Sequence, residues 1–187
     1  MEPIWIVVIV AVVLVVWLVA IYNKLVRLRN NRENAFADID VQLKQRHDLI
    51  PQLVSTVKGY AKHEEGVLTK VTEARRQAVA ATSINDKIAA EATLTTALSG
   101  FSLQMEAYPD LKANQNFMQL QQELSDIENK LAAVRRYFNS ATRELNNGVQ
   151  SFPNNILAGM FGFKEEPYFD LGTEGRAQMD KAPEISF

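Results

Sequence analysis

The sequence predicts an all-α protein in which an N-terminal transmembrane helix precedes an antiparallel bundle of long helices, a short fourth helix and an extended C-terminal tail. Three observations support this fold class. Residues 4–22 are apolar without interruption, apolar residues from Phe36 onward recur at alternating steps of three and four, and prolines or turn-forming residues separate the periodic segments. The predicted boundaries are a membrane anchor over 1–23, a bundle over 24–163 and a tail over 164–187.

The composition of this 187-residue chain excludes several classes of function. With no cysteine, the chain has no disulfide, no thiolate nucleophile and no Cys-based zinc site. Its 20 basic and 22 acidic side chains give a net charge of -2, whereas a general nucleic-acid-binding protein needs a strongly basic face. We therefore expect no nucleic-acid partner. The length suits one domain with an appendage and argues against a multidomain enzyme.

The first element, the apolar run of residues 4–22, is predicted to be a retained membrane anchor. As a helix rising 1.5 Å per residue it would cover about 28 Å, close to the ~30 Å hydrocarbon thickness of a bilayer. A cleaved signal peptide is the alternative interpretation. Against it, the first three residues carry no Lys or Arg, the run is too long for a signal peptide, and no A-x-A-like cleavage site follows.

A cluster of cations directly follows the apolar run, whereas Glu2 is the charged residue before it. The positive-inside rule then places the C-terminal part of the chain in the cytoplasm, with a single crossing of the membrane. The same cations are predicted to contact anionic lipid head groups, so the lipid bilayer is the first expected partner. These side chains are Lys24, Arg27, Arg29 and Arg32.

The first soluble helix is predicted to run from Phe36 to about residue 81, because one heptad seam of a coiled-coil-like bundle continues through that range. Pro51 lacks a backbone donor, and we expect it to kink this helix rather than break it, since the seam keeps its phase on both sides. Gly59 and Gly66 are weak points, at about 1 kcal/mol each relative to Ala. The seam residues expected in the bundle core are Phe36, Ile39, Leu43, Ile50 and Leu53, with Leu124, Leu131 and Phe138 from the third helix.

The second and third helices are bounded by cap-forming residues and prolines. Residues 81–86 carry cap and turn chemistry, so the second helix is predicted to begin near Ile84 and to end at Tyr108-Pro109-Asp110. The third helix is predicted from about Ala113 to Ser151, where Pro153 stops it. The longest segment with strand-like alternation is residues 168–171.

The short fourth helix is predicted between Pro153 and residue 163, with Asn154 or Asn155 as its cap. Its apolar sequence could dock on the bundle, insert into a neighbouring molecule or dip into a bilayer. Docking is favoured. A dip into the bilayer has the least support, because ten residues cannot span it and the third helix is expected to carry this segment away from the membrane. Since helices of unequal length leave apolar seam positions uncovered, we also expect homo-oligomerisation through the seam and the tail.

Arg46 stands at a seam position among apolar residues, where an unpaired charge would be costly. A carboxylate on the third helix is one expected partner, and the pair would then fix the register of the bundle. The alternative is that Arg46 extends its aliphatic stem and places the guanidinium at the bundle surface. The candidate partners are Glu123, Glu128 and Glu144.

The sequence carries no recognisable catalytic or metal-binding pattern. His47 and His63 would lie about 24 Å apart along one helix, and His63 lacks the second histidine of an H-E-x-x-H motif. Neither a G-x-S-x-G nucleophile elbow nor a phosphate-binding glycine loop is present. Glu33, Asp38 and Asp40 are interpreted as a charged bundle surface, with a cation- or partner-binding strip as the alternative. We expect no enzyme, no metal and no cofactor.

Four segments carry a family resemblance. They are YNKLVRLRNNRENAFADIDVQLKQRHDLIPQLVSTVKGYAKHE at 22–64, VTEARRQA at 71–78, YPDLKANQNFMQLQQELSDIENKLAAVRRYFN at 108–139 and FPNNILAGMFGF at 152–163. Together they cover most of the chain, and they resemble the bacterial LemA family closely. One departure is Gly66, where the family usually carries a charged helix former, and it weakens helix continuity just after His63.

The resemblance implies a single membrane helix followed by a bundle of long helices, in the inner membrane of a bacterium. Members of the family have no established enzymatic activity and are often encoded near membrane metalloproteases or other small membrane proteins. The resemblance therefore implies a non-enzymatic scaffold or adaptor, expected here to assemble with itself. The alternative is a regulatory or signal-responsive subunit of a membrane protease or of another membrane protein.

Overall fold

The computed structural model describes residues 3–60 and 64–170, and within these ranges the chain is helical with no strand. The predicted all-α fold class is therefore confirmed. The predicted tail beyond residue 170 lies outside the described residues. Six helices lie in the described ranges: α1 (Pro3–Lys58), α2 (Glu65–Ala80), α3 (Ile84–Met105), α4 (Pro109–Lys112), α5 (Gln115–Gln150) and α6 (Asn154–Phe161).

Helix α1 contains both the apolar run and the first part of the predicted first soluble helix. Pro51 lies inside α1, so the helix continues through the proline, as expected. The prediction that this helix reaches residue 81 was wrong, because α1 ends at Lys58 and α2 begins only at Glu65. Gly59 directly follows the end of α1 and Gly66 stands in the first turn of α2, and both weaken a continuous helix.

The ends of the later helices follow local capping chemistry. The Ser83 hydroxyl accepts a hydrogen bond from the backbone N–H of Asp86 at 3.1 Å and caps α3, as predicted for residues 81–86. Helix α3 ends at Met105, and Pro109 opens α4 instead of ending α3. The predicted asparagine cap of α6 was wrong, because residue 153 occupies the cap position and both asparagines lie inside the helix.

The chain divides into two compact units. Unit 1 comprises Met1–Asp38 and Val134–Tyr168, and unit 2 comprises Ile39–Ala133 with Phe169 and Asp170 among the described residues. Helices α1 and α5 contribute to both units, whereas α2, α3 and α4 belong to unit 2 and α6 to unit 1.

The core of unit 2 is built by apolar side chains of its five helices. Helix α2 buries one face against α3, and the largest fully buried side chains in this core include those of Phe101 and Phe117. Each such aromatic or leucine side chain stabilises the fold by roughly 1.5–3 kcal/mol relative to an exposed one. Helix α2 contributes Leu68, Val71, Ala74 and Ala78.

The core of unit 1 has two parts. In one part, Phe36 on α1 and Phe138 on α5 meet edge to face, with ring centroids 5.5 Å apart. In the other, Ile21 and Leu25 of α1 pack against α6 and the residues that follow it.

The predicted seam is filled by this chain itself. Seven of the eight seam residues are buried and Leu124 is half-buried. The uncovered seam from which we predicted homo-oligomerisation is therefore not found at these positions, because the neighbouring helices of the same chain already cover them. The buried seam residues are Phe36, Ile39, Leu43, Ile50, Leu53, Leu131 and Phe138.

Candidate functional site

Charged side chains gather at two places, one in the interior of unit 2 and one in unit 1 just after the apolar run. Among residues 3–60 and 64–170, no group of His, Asp and Glu side chains is arranged to hold a metal ion. His63 lies outside the described residues.

Arg46 on α1 is the centre of an ionic cluster inside unit 2. Its side chain is only 2% exposed, as is that of Glu91 on α3. One guanidinium nitrogen, Nη1, donates to Glu91 Oε2 at 2.8 Å. The other, Nη2, lies 2.7 Å from Glu128 Oε1 on α5 and donates to Thr95 Oγ1 at 3.0 Å. Arg46 thereby joins three helices through charge-assisted bonds, which are the stronger class of hydrogen bond.

His47, the residue after Arg46 on α1, extends this cluster. Its Nε2 lies 2.5 Å from Glu91 Oε1, so both carboxylate oxygens of Glu91 are engaged inside the protein. Arg75 on α2 donates from Nε to the backbone carbonyl of His47 at 2.7 Å. Helices α1, α2, α3 and α5 are therefore held together by one set of polar contacts.

The structure decides between the two interpretations of Arg46. The guanidinium does not reach the surface, so the prediction of an extended surface position was wrong. Glu128 is the partner on α5, while Glu123 instead accepts a hydrogen bond from Gln119 at 3.0 Å. The sequence reasoning missed Glu91, although this glutamate also stands at a seam position among apolar residues. Two opposite charges on the seams of two helices were the signal that could have found the pair.

The three carboxylates of the suggested acidic strip have separate surroundings. Asp40 Oδ1 pairs with Lys87 Nζ of α3 at 2.5 Å, within unit 2. Glu33 lies 4.0 Å from Arg29 Nε on the surface of unit 1, and Asp38 is exposed. They belong to a charged surface rather than to one binding site.

Three of the four predicted lipid-contacting cations are exposed, and the fourth is not. Lys24, Arg27 and Arg29 lie at the surface, but Arg32 is buried and cannot contact lipid head groups. Its guanidinium stacks over the Phe138 ring at 4.9 Å, with Nη2 3.5 Å from a Glu166 carboxylate oxygen. Burial lowers the pKa of Arg32, and Glu166 opposes this shift. Arginine stays protonated under such conditions, so the ion pair persists.

Asn146 of α5 holds the segment after α6 in place. Its Nδ2 donates to the backbone carbonyl of Glu166 at 3.0 Å, and the N–H of Glu166 donates to its Oδ1 at 2.9 Å. Arg32 adds a hydrogen bond to the carbonyl of Pro167 at 3.4 Å. The first residues of the predicted tail are therefore extended and fixed to unit 1. The sequence reasoning missed this contact, and an amide next to the buried residue Leu145 was the available signal.

Helix α6 docks on α1 where the apolar run ends. Leu157 and Phe163 share a buried cluster with Ile21 of α1. Gly162 ends the helix with φ of 73°, a left-handed conformation that favours glycine, and Phe163 then donates its N–H back to the carbonyl of Ala158 at 2.9 Å. The favoured docking is observed. The expectation that the third helix, α5, carries this segment away from the membrane-proximal residues was wrong.

From Ile4 to Val19 the apolar run is largely without protein cover among the described residues, whereas Ile21 near its end is buried. Between Ile4 and Val19 its large side chains, other than Leu18, are 46–67% exposed. One helix in the described ranges is long and apolar enough to cross a membrane, and it is the helix that carries this run.

Comparison with known proteins agrees with the resemblance. A model of the LemA family matches residues 35–187. Protein LemA of Metamycoplasma hominis is 25% identical over 162 residues, which cover 84% of this chain and 73% of that protein. Magnetosome protein MamQ of Magnetospirillum gryphiswaldense is 22% identical, and magnetosome protein MamQ 2 of Paramagnetospirillum magneticum is 21% identical. Each match covers 79% of this chain and 64% of the magnetosome protein, so this chain spans less than two thirds of their length. Because the family model covers most of the sequence, the chain belongs to the LemA family.

Proposed function

We propose that this protein is a membrane-anchored, non-enzymatic scaffold. One observation carries the proposal: helix α1 runs from an uncovered apolar segment into buried packing without ending before Lys58. An apolar stretch of about 28 Å needs a cover of matching thickness, which a bilayer supplies. The anchor and the bundle are then one continuous element, and the bundle is held directly at the membrane.

The packing of unit 1 favours an anchor that is retained. Ile21, near the end of the apolar run, is buried against α6 together with Leu25. Cleavage after the run would remove Ile21 from this core, at a cost of the order of 1.5–3 kcal/mol for one buried isoleucine. The cations that follow the apolar run are exposed, namely Lys24, Arg27 and Arg29. By the positive-inside rule they support a single crossing of the bacterial inner membrane with the bundle in the cytoplasm.

The contacts of the buried charged groups in unit 2 favour a structural role. The most deeply buried charges in unit 2, Arg46 and Glu91, bind each other and neighbouring side chains of the same chain. In an active site, by contrast, one or more such groups point into a cleft with open coordination or hydrogen-bonding positions. The cluster therefore supports a role in fixing the helices rather than in catalysis.

The second part of the proposal is that the protein assembles with itself, through a surface other than the seam. A groove of about 700 Å³ runs between α2 and α3. Its small residues would let another helix approach closely, and Lys70 and Glu73 at its side offer charged contacts. A second copy of the chain is the occupant we propose. The small lining residues of α3 are Thr93, Thr96, Ala97 and Gly100.

Mass photometry of the full-length protein in lipid nanodiscs, with identification of copurifying proteins, tests the scaffold. We expect a uniform homo-assembly whose subunit number falls in Thr96→Arg, because the long cation would fill the groove. Ser99→Arg is the matched control, since Ser99 is exposed on the same helix and does not line the groove. Monomers bound to one recurrent partner at fixed stoichiometry would contradict self-assembly and favour a regulatory subunit of another membrane protein.

A further inference from the structure

Helix α6 has a second apolar face, which the docking on α1 leaves uncovered. Ile156 and Met160 stand four residues apart, so their side chains are neighbours on one side of the helix, and Phe152 precedes the helix. The exposed fractions of these side chains, together with Phe161, range from 57% to 80%. We call the set of Phe152, Ile156, Met160 and Phe161 the outer face of α6.

The outer face lies directly beside the end of the apolar run. Tyr22 is the last residue of that run, and its ring contacts Phe161 edge to face with centroids 4.9 Å apart. A second edge contact joins Tyr22 to Phe163 at 5.9 Å. Tyrosine at the end of a membrane helix marks the boundary between hydrocarbon and water. Phe161 therefore lies at the depth of this boundary.

The composition around the outer face suits a membrane boundary. Helix α6 has the sequence NNILAGMF and carries no charge, so no ion would have to leave water if the helix touched lipid. The nearby exposed cations are on α1, where Arg29 also stacks on Phe163 at 5.2 Å. Uncharged apolar residues beside exposed cations are the pattern of an interfacial membrane contact, in which the cations bind anionic head groups.

We propose that α6 lies in the interfacial layer of the bilayer, with its outer face immersed at the boundary of head groups and acyl chains. The inference rests on the membrane anchor of the proposed function and adds a second membrane contact to it. Lipid is the occupant because the outer face adjoins the end of the apolar run, which lipid covers in the proposed function. Two contacts, one through α1 and one through α6, would fix the tilt and rotation of unit 1 relative to the membrane.

Single-cysteine labelling can test the contact, because the natural chain has no cysteine. Met160→Cys carries an environment-sensitive fluorophore on the outer face, and Ile156→Cys repeats the measurement on the same face. Tyr137→Cys is the control, since Tyr137 is exposed on α5 in the same unit. Val13→Cys, within the apolar run, reports the anchor separately. All variants are full-length and are reconstituted into vesicles of phosphatidylcholine and phosphatidylglycerol in equal amounts.

Two quenchers distinguish the environments. We expect a nitroxide lipid labelled near its head group to quench the label at Met160 at least about twofold more than the label at Tyr137, with the order reversed for aqueous iodide. Equal iodide quenching at both positions would overturn the inference. Protection of Met160 from iodide without quenching by the nitroxide lipid would also overturn it, because protein would then be the cover.

The label at Val13 separates this inference from the proposed anchor. A nitroxide placed deep in the acyl chain should quench it strongly. If Val13 is quenched and neither position on the outer face is, the anchor stands and the interfacial contact of α6 is refuted. If Val13 is not quenched, the anchor is refuted, and the present inference with it.

Discussion

Replacing Arg46 by leucine tests the ionic cluster of unit 2. The substitution keeps an apolar side chain at a seam position but leaves Glu91 with its charge buried and its main partner removed. Thr95 loses the guanidinium as well, while His47 remains beside the carboxylate. We expect a large loss of stability, because an unpaired buried charge is costly.

The magnitude follows from the burial of the two partners. Arg46 and Glu91 are each 2% exposed, and removing one member of such a buried pair costs about 3–5 kcal/mol. Glu128 is a third exposed, so water compensates for most of its loss. In a protein of this size 1 kcal/mol shifts the melting temperature by about 2–4 °C. The expected decrease is therefore about 6–20 °C.

Thermal unfolding of the full-length protein in lipid nanodiscs, followed by circular dichroism, measures this shift. The double variant Arg46→Leu with Glu91→Leu removes both charges, and we expect it to recover most of the lost stability. Arg76→Leu is the control for a surface ion pair. The ion pair between Arg76 and Glu73 is solvent-exposed, so the melting temperature should hardly change.

Two results would refute the reasoning. If Arg46→Leu melts within about 2 °C of the natural protein, the ion pair does not hold the helices of unit 2 together. If the double variant is no more stable than Arg46→Leu alone, an unpaired Glu91 charge is not the source of the loss.

Three further predictions have defined outcomes. Asn146→Ala removes two hydrogen bonds worth about 1 kcal/mol each, so hydrogen exchange at the Glu166 amide should accelerate; unchanged exchange would contradict the contact. Gly66→Ala, in the first turn of α2 with no atom within 4 Å of the new Cβ, should stabilise by about 1 kcal/mol, whereas Gly148→Ala should give no such gain in melting temperature, because its new Cβ would lie 2.6 Å from a leucine methyl carbon. Hydrogen bonds from Arg76 and Gln77 lower the pKa of Glu73 from 4.5 to about 2. Arg76→Leu removes the larger of these two contributions, so an NMR titration should show the Glu73 pKa rising toward 4.5, while the melting temperature hardly changes because the pair is solvent-exposed. An unchanged pKa would contradict the hydrogen bond.

The helical core could be predicted largely from sequence, whereas one helix end could not. The heptad spacing identifies which face of a long helix is buried, and it placed Ile39, Leu43 and Ile50 correctly. The end of α1 at Lys58 escaped prediction because the apolar phase continues beyond it into α2. Whether a helix continues past Gly59 depends on small energies of about 1 kcal/mol, which tertiary packing on either side can outweigh.

The polar contacts were only partly predictable, for a different reason. A charge at a seam position indicates that Arg46 needs a partner, but the identity of that partner depends on which helices are neighbours and in what register. The contact between Asn146 and Glu166 was even harder to predict from the sequence. The segment around Glu166 has no helical or strand periodicity, so nothing in its pattern indicates that it returns to α5.

Unit 1 is completed by contacts between residues that are far apart in the sequence, and this separation affects its folding during translation. Arg32 and Pro167, which share a hydrogen bond, are 135 residues apart. At translation rates of about 5–20 residues per second, roughly 7–27 seconds pass between their appearance on the ribosome. During that interval Leu25 and its neighbours have no α6 to cover them, and the stretch from Ile39 to Ala133 is completed before α6 is made. Until α6 is made, the nascent chain therefore exposes an apolar surface close to the translocation machinery, and a chaperone can bind that surface in this period.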